Sequence, residues 1–273
     1  MTRGIRPSAV NHMNVVLEDY DASIAHFTNL FGAVFLHDIK QQDFKAGLID
    51  IGGVMYEMFV PKAFLFNMRY GAHYLGIEYA ADMEQVRKVV AEQGIRIARD
   101  IDVAIHTHPD DCFGVSFEFY GAPWAERTWP TTGLKLGKPE YWREQPGGMA
   151  GQKAFTMAVH DLEAATRFML SVFDTELAYD EDRPHIAARA RGFRVADSDI
   201  ELLAPVGRQG ELFDHLLRYG QGIRSTVYRV KDVAQTQSFL GDRGVEVTVG
   251  SSPGSIAVPA HANLGVMFEF TAE

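Results

Sequence analysis

The chain contains a single cysteine, Cys112, in 273 residues. No intrachain disulfide can form, and a zinc site built from cysteine thiolates is excluded. Positive charge is scarce as well: 26 Lys and Arg stand against 36 Asp and Glu, a formal charge of −10. Binding a phosphate backbone needs basic patches, so nucleic acid is excluded as a partner. An anionic membrane surface is a poor match for the same reason. No apolar run reaches roughly 18 residues, the length that spans a bilayer. The N-terminus, Met1-Thr-Arg-Gly-Ile-Arg-Pro, has no signal-peptide core. The expectation is a cytoplasmic monomer or homodimer acting on a small molecule, with no nucleic acid and no membrane partner. Aliphatic and aromatic residues make up 47% and charged residues 23%, which excludes collagenous and disordered classes. At roughly 150 residues per domain, the length fits two domains.

An internal repeat organises the chain. Asp19 matches Asp161 and Phe31 matches Phe173, both at an offset of 142. Tyr56-Glu-Met-Phe-Val-Pro61 matches Ile200-Glu-Leu-Leu-Ala-Pro205 at 144, and Arg69-Tyr-Gly71 matches Arg218-Tyr-Gly220 at 149. Gly114-Val-Ser-Phe-Glu-Phe119 matches Gly265-Val-Met-Phe-Glu-Phe270 at 151. The order is kept and the offset drifts slowly, as small loop insertions produce. Residues 1–120 and 152–273 are thus two copies of one unit. Residues 121–151 read as a linker, because Pro123, Pro130, Pro139 and Pro146 with six glycines break helices and central strands. Trp124, Trp129 and Trp142 also fall there, so the linker is expected to pack across a surface.

Each copy divides again. His12–Leu17 is strand-like, and the apolar spacing at 24, 27, 30 and 31 predicts a helix, with Asp21 as N-cap and Gly32 as C-cap. Residues 46–52 and 53–60 form a hairpin around Gly52-Gly53. His73–Tyr79, a helix over 82–93, and strands over 95–103 and 114–120 repeat the plan. The fold class is α+β, with four βαβββ modules.

His12 and His73 begin two strands, and Glu57 and Glu118 lie in the last strand of two modules. If those modules pair about a pseudo-twofold axis, the four side chains can converge. Imidazole and carboxylate together suit a divalent metal such as Fe, Zn, Co, Ni or Mn. A carboxylate inside an apolar strand is costly without a partner, which supports a bound cation. The second copy is an internal control. It has Ala154 in place of His12 and Gly222 or Ile223 in place of His73, but keeps Glu201 and Glu269. It is expected to hold no metal. His106, His108, Tyr120 and Asn14 are assigned to substrate contact. The Pro109-Asp110-Asp111 turn signal places the H-x-H pair at a strand end or loop.

These residues resemble the vicinal oxygen chelate superfamily, which includes glyoxalases, bleomycin-resistance proteins and extradiol dioxygenases. The resemblance rests on Asn11-His-Met-Asn-Val-Val-Leu-Glu-Asp, Ala72-His-Tyr-Leu-Gly-Ile-Glu-Tyr and His108-Pro-Asp-Asp-Cys-Phe-Gly-Val-Ser-Phe-Glu118. The N-terminal half is most similar to methylmalonyl-CoA epimerase, although Lys40-Gln-Gln-Asp43 carries no glutamate where that enzyme has a base. The resemblance implies two tandem domains and carries His12, Glu57, His73 and Glu118 over as metal ligands. It also implies that Glu118 or Glu57 can act as catalytic base. The implied function is metal-dependent stabilisation of an enolate or oxyanion of a small oxygenated substrate, as in an isomerase, epimerase or lyase. The alternatives are an Fe(II) ring-cleaving dioxygenase using His12, His73 and Glu118, or a non-catalytic binding or resistance protein.

Overall fold

The structure, a computed structural model, describes residues 4–41, 44–61 and 71–273. Part of the Lys40–Asp43 segment, the Arg69-Tyr70 match and the first three residues lie outside the described residues.

All four modules take the expected form. The first is β1 (Ala9–Val16), α1 (Tyr20–Phe31), β2 (Val34–Lys40), β3 (Phe44–Ile51) and β4 (Val54–Pro61). The second is β5 (His73–Ala80), α2 (Met83–Glu92), β6 (Ile97–Asp100), β7 (Ala104–Thr107) and β8 (Ser116–Tyr120). A short helix, α3 (Pro139–Arg143), precedes the third: β9 (Met149–Ala158), α4 (Leu162–Val172), β10 (Leu177–Arg183), β11 (Ala188–Val195) and β12 (Ser198–Pro205). After α5 (Glu211–Tyr219), the fourth is β13 (Gly222–Val230), α6 (Val233–Gly241), β14 (Thr248–Val249), β15 (Ile256–Val258) and β16 (Met267–Ala272). The strands form two eight-stranded sheets, in the orders β2-β3-β4-β1-β5-β8-β7-β6 and β10-β11-β12-β9-β13-β16-β15-β14. Each sheet is drawn from one copy of the repeat.

Local chemistry explains the recurrence. The helix of every module starts at an aspartate whose carboxylate accepts from a first-turn backbone N–H: Asp19, Asp82, Asp161 and Asp232. The first of these corrects the expected cap. Asp21 lies inside α1, and Asp19 caps it by accepting from Ala22 N. Gly32 ends that helix in the left-handed conformation, as expected. Gly52 and Gly53 both have positive φ, 65° and 81°, the two-residue turn that joins β3 to β4 without splaying them.

By packing, the chain falls into two compact units, each taking one module from each copy. One comprises Met1–Asn11, Gly76–Trp124 and Ala154–Arg224; the other comprises His12–Leu75, Ala125–Lys153 and Ser225–Glu273. The first has an aromatic core in which Phe173 of the second copy meets Phe117, Phe119 and Tyr79 of the first, at centroid distances of 5.3, 6.3 and 6.0 Å. The second unit has its own: Phe268 lies against Phe27, Phe31 and Tyr56, and Tyr228 Oη donates to Tyr56 Oη at 2.7 Å. Fully buried aromatics supply much of the apolar area removed from water.

The linker is held to the second unit. Trp142 is buried, and its Nε1 donates to Asp50 Oδ2 at 3.1 Å. Gly137 N donates to the same oxygen at 2.6 Å, and Gly53 N donates to Oδ1 at 2.9 Å. Burial pushes the Asp50 carboxyl up to about 6 despite these three donors. Trp129 is buried and stacks on His37. Trp124 differs from its fellows: it belongs to the first unit, is half-buried and lies edge-on to Tyr120.

Candidate metal and substrate site

In the first unit, parallel pairing of β5 with β8 sets Glu78 directly opposite Glu118. Antiparallel pairing of β7 with β8 sets His106 opposite Glu118 on the other side. Residues paired across a ladder share a face, so three titratable side chains crowd one patch of sheet. Glu78 and Glu118 are 1% and 6% exposed. Asn11 Nδ2 donates to Glu78 Oε1 at 2.8 Å, and His106 Nε2 lies 3.1 Å from Glu118 Oε1. Asn11 is itself fixed by the chain leaving β8, donating to Ala122 O and accepting from Trp124 N.

Two small residues bring β5 and β8 together. Gly76 is the register partner of Ser116, and a Cβ at Gly76 would stand 1.9 Å from the Ser116 carbonyl oxygen. Ser116 Oγ donates to Thr107 O, and Thr107 Oγ1 accepts from Phe117 N. The segment between β7 and β8 is anchored by Arg96, whose guanidinium and backbone N–H both bind Asp111. Those bonds lower the Asp111 carboxyl to about 2. His108 lies beyond β7 and caps the short turn Pro109–Asp111 by accepting from Asp110 N, as the turn signal implied. Cys112 is buried, which pushes its thiol up to about 12 and leaves it unreactive as a nucleophile.

In the second unit, His12 on β1 is fully buried and its Nε2 lies 3.1 Å from Glu57 Oε2 on β4. Asn14 is the register partner of Glu57 and is also buried. His73 Nδ1 donates to the Gly71 carbonyl at 2.7 Å, which places the ring proton on that nitrogen. Tyr120, at the end of β8 in the first unit, is half-buried against Trp124.

His12, Glu78 and Glu118, all buried, form a group that could hold a metal ion. Two of its members are residues singled out from sequence, and the third, Glu78, is not. His73 and Glu57 are not members of that group. Alternation along β5 puts His73 on the face opposite Glu78. Glu78 had a signal: it is a carboxylate within Leu75-Gly-Ile-Glu-Tyr-Ala80, and Val227 replaces it in the second copy.

That copy has other residues at each place. Ala154 stands for His12, Val227 for Glu78 and Ala257 for His106, as the equivalent registers show. Its remaining carboxylates have internal partners. Glu201 accepts from Tyr179 Oη at 2.7 Å and pairs with Arg183. Glu269 accepts from Ser225 Oγ, Ser251 Oγ and Ser251 N.

Residues 151–254 match the family described as Glyoxalase/Bleomycin resistance protein/Dioxygenase superfamily. A triple mutant of 4-hydroxymandelate synthase from Streptomyces coelicolor superposes with a TM-score of 0.76 over 97% of this chain and 92% of that one, at 14% identity. The chain has the vicinal oxygen chelate fold. It is present as two tandem domains, and the sheets described above are the two βαβββ pairs of that fold. Methylmalonyl-CoA epimerase from Mycobacterium tuberculosis is a shorter match, at 22% identity and a TM-score of 0.42 over 45% of this chain and 87% of that one. No curated protein sequence matches. No helix among the described residues is long and apolar enough to cross a membrane.

Proposed function

We propose that this vicinal oxygen chelate protein is a metal-dependent enzyme whose first copy holds one divalent ion through His12, Glu78 and Glu118. The reading is carried by the pair Glu78 and Glu118, two buried carboxylates in register on adjacent strands. Two such groups repel unless a proton or a cation lies between them. One imidazole and two carboxylates make an oxygen-rich donor set, which suits manganese, iron or cobalt, with zinc and nickel also accepted. When bound, the ion supplies Lewis-acid stabilisation of an enolate or oxyanion on a small oxygenated substrate.

The chain's own residues divide the remaining work. Glu57, 3.1 Å from His12 Nε2 and with a side chain 12% exposed, is the carboxylate outside the metal group. It takes the proton from carbon beside a carbonyl and returns it, which is general base and acid chemistry. His108, Tyr120 and Asn14 bind the substrate. Proton transfer of this kind defines an isomerase, epimerase or lyase. An Fe(II) dioxygenase draws on two imidazoles and one carboxylate, whereas this group offers the reverse ratio.

The test is hydrogen exchange. Protein loaded with Mn(II) is incubated in D₂O with a panel of small 2-oxo acids, 3-oxo acids and acyl thioesters, and followed by proton NMR. Deuterium should enter beside the carbonyl of at least one class and fail to enter with Glu57→Gln. Oxygen uptake with Fe(II) and a catechol, without exchange in any class, would replace this reading with the dioxygenase. Binding without either would make the chain a non-catalytic binder.

A further inference from the structure

We propose that His106 is the residue that positions Glu118 for metal binding. The inference rests on the reading above that Glu118 is a ligand. A carboxylate on a metal needs a second partner to hold it in one rotamer, and such partners commonly set the affinity. Glu78 has one in Asn11, whose amide is pinned at both ends. Glu118 has His106, its register partner on β7, with Nε2 3.1 Å from Oε1. The imidazole side chain is 19% exposed, so it does not fill the core. His108 has left the strand and caps a turn, so the two histidines of the H-x-H pair have separate tasks.

The second copy supplies the contrast. Glu269 occupies the place of Glu118, and Ala257 occupies the place of His106. There the carboxylate oxygens are taken by Ser225 and Ser251 instead. The retained glutamate has become a structural acceptor. The imidazole is present in the copy that has His12 and Glu78, and absent from the copy that lacks them.

Mn(II) titration of the full-length, metal-free protein tests this, with the free ion followed by electron paramagnetic resonance. His106→Ala should weaken Mn(II) binding by about 10–100-fold. His106→Gln, whose amide can still donate to Glu118, should recover most of the affinity. His106→Asn, polar but too short to reach, should behave like alanine and guards against misfolding of the alanine variant. The melting temperature of each metal-free variant should match the parent. If His106→Ala binds Mn(II) like the parent while Glu118→Ala does not bind, His106 has no positioning role and the metal reading survives. Equal weakening by glutamine and alanine also overturns the role, because a donor at this place would then be irrelevant. Parental affinity in Glu118→Ala overturns the metal reading and this inference together.

Discussion

Glu78 and Glu118 face one another across the parallel β5–β8 ladder, Glu78 between Ile77 and Tyr79 and Glu118 between Phe117 and Phe119. Like charges in direct register destabilise a sheet by up to about 1 kcal/mol even when exposed. Without an ion, Glu78→Gln should therefore stabilise the protein, raising the melting temperature by about 2–4 °C. Asn11 can keep a carbonyl acceptor in that variant. With Mn(II) the order should reverse, because the parent gains binding energy that the variant lacks. Thermal melts with and without the ion check this. A variant less stable than the parent in metal-free buffer would show that the pair does not repel.

Gly76→Ala should damage both fold and site. The new Cβ meets the Ser116 carbonyl oxygen at 1.9 Å, and backbone cannot yield as a side-chain tip can. We expect a loss of about 2 kcal/mol or more, within the range of overpacked core positions, and weaker metal binding as β5 and β8 separate. An unchanged melting temperature would contradict the close approach.

Asp50 gives the protein a pH dependence of known sign. Burial raises its carboxyl from 3.8 to about 6, so the folded chain holds this proton more tightly than the unfolded chain. The stability from that difference is complete below about pH 4 and is lost as pH rises towards 6. The amount is on the order of 3 kcal/mol. Asp50→Asn removes the titration, so the parent-minus-variant difference in unfolding free energy should fall between pH 4 and 6 and then level off. A difference that is flat throughout would contradict the buried carboxyl.

Phe173 joins the two copies inside the first unit. Phe173→Ala removes a ring packed on Phe117, Phe119 and Tyr79 and should cost about 3–5 kcal/mol. Truncation after Tyr120 removes Phe173 and Phe268 together, and the exposed aromatic face should drive aggregation or dimerisation. Size-exclusion chromatography checks it. A soluble, monomeric fragment of 1–120 with full metal affinity would contradict the account.

The repeat, the four modules and the hairpin at Gly52-Gly53 were legible in the sequence, because caps, turns and alternation are local. His12 and Glu118 were legible for a related reason: they recur at fixed places in a repeated plan, and Ala154 marks the first as dispensable for folding. Glu78 is not legible in this way, because it lies within its strand and only the β5–β8 register brings it opposite Glu118. The partnership of His106 with Glu118 depends likewise on a strand pairing that spacing alone does not define. Asp21 directly precedes the apolar period, yet the chain is still extended only at Asp19, so Asp19 and not Asp21 is the cap.

The central claim is that the first copy holds one ion and the second none. Elemental analysis of the purified full-length protein, with its variants, measures this directly. The account predicts one divalent ion per chain, lost in His12→Ala and in Glu78→Ala and retained in Glu269→Gln. A full complement of metal in His12→Ala, or loss of the ion in Glu269→Gln with the fold intact, would contradict it.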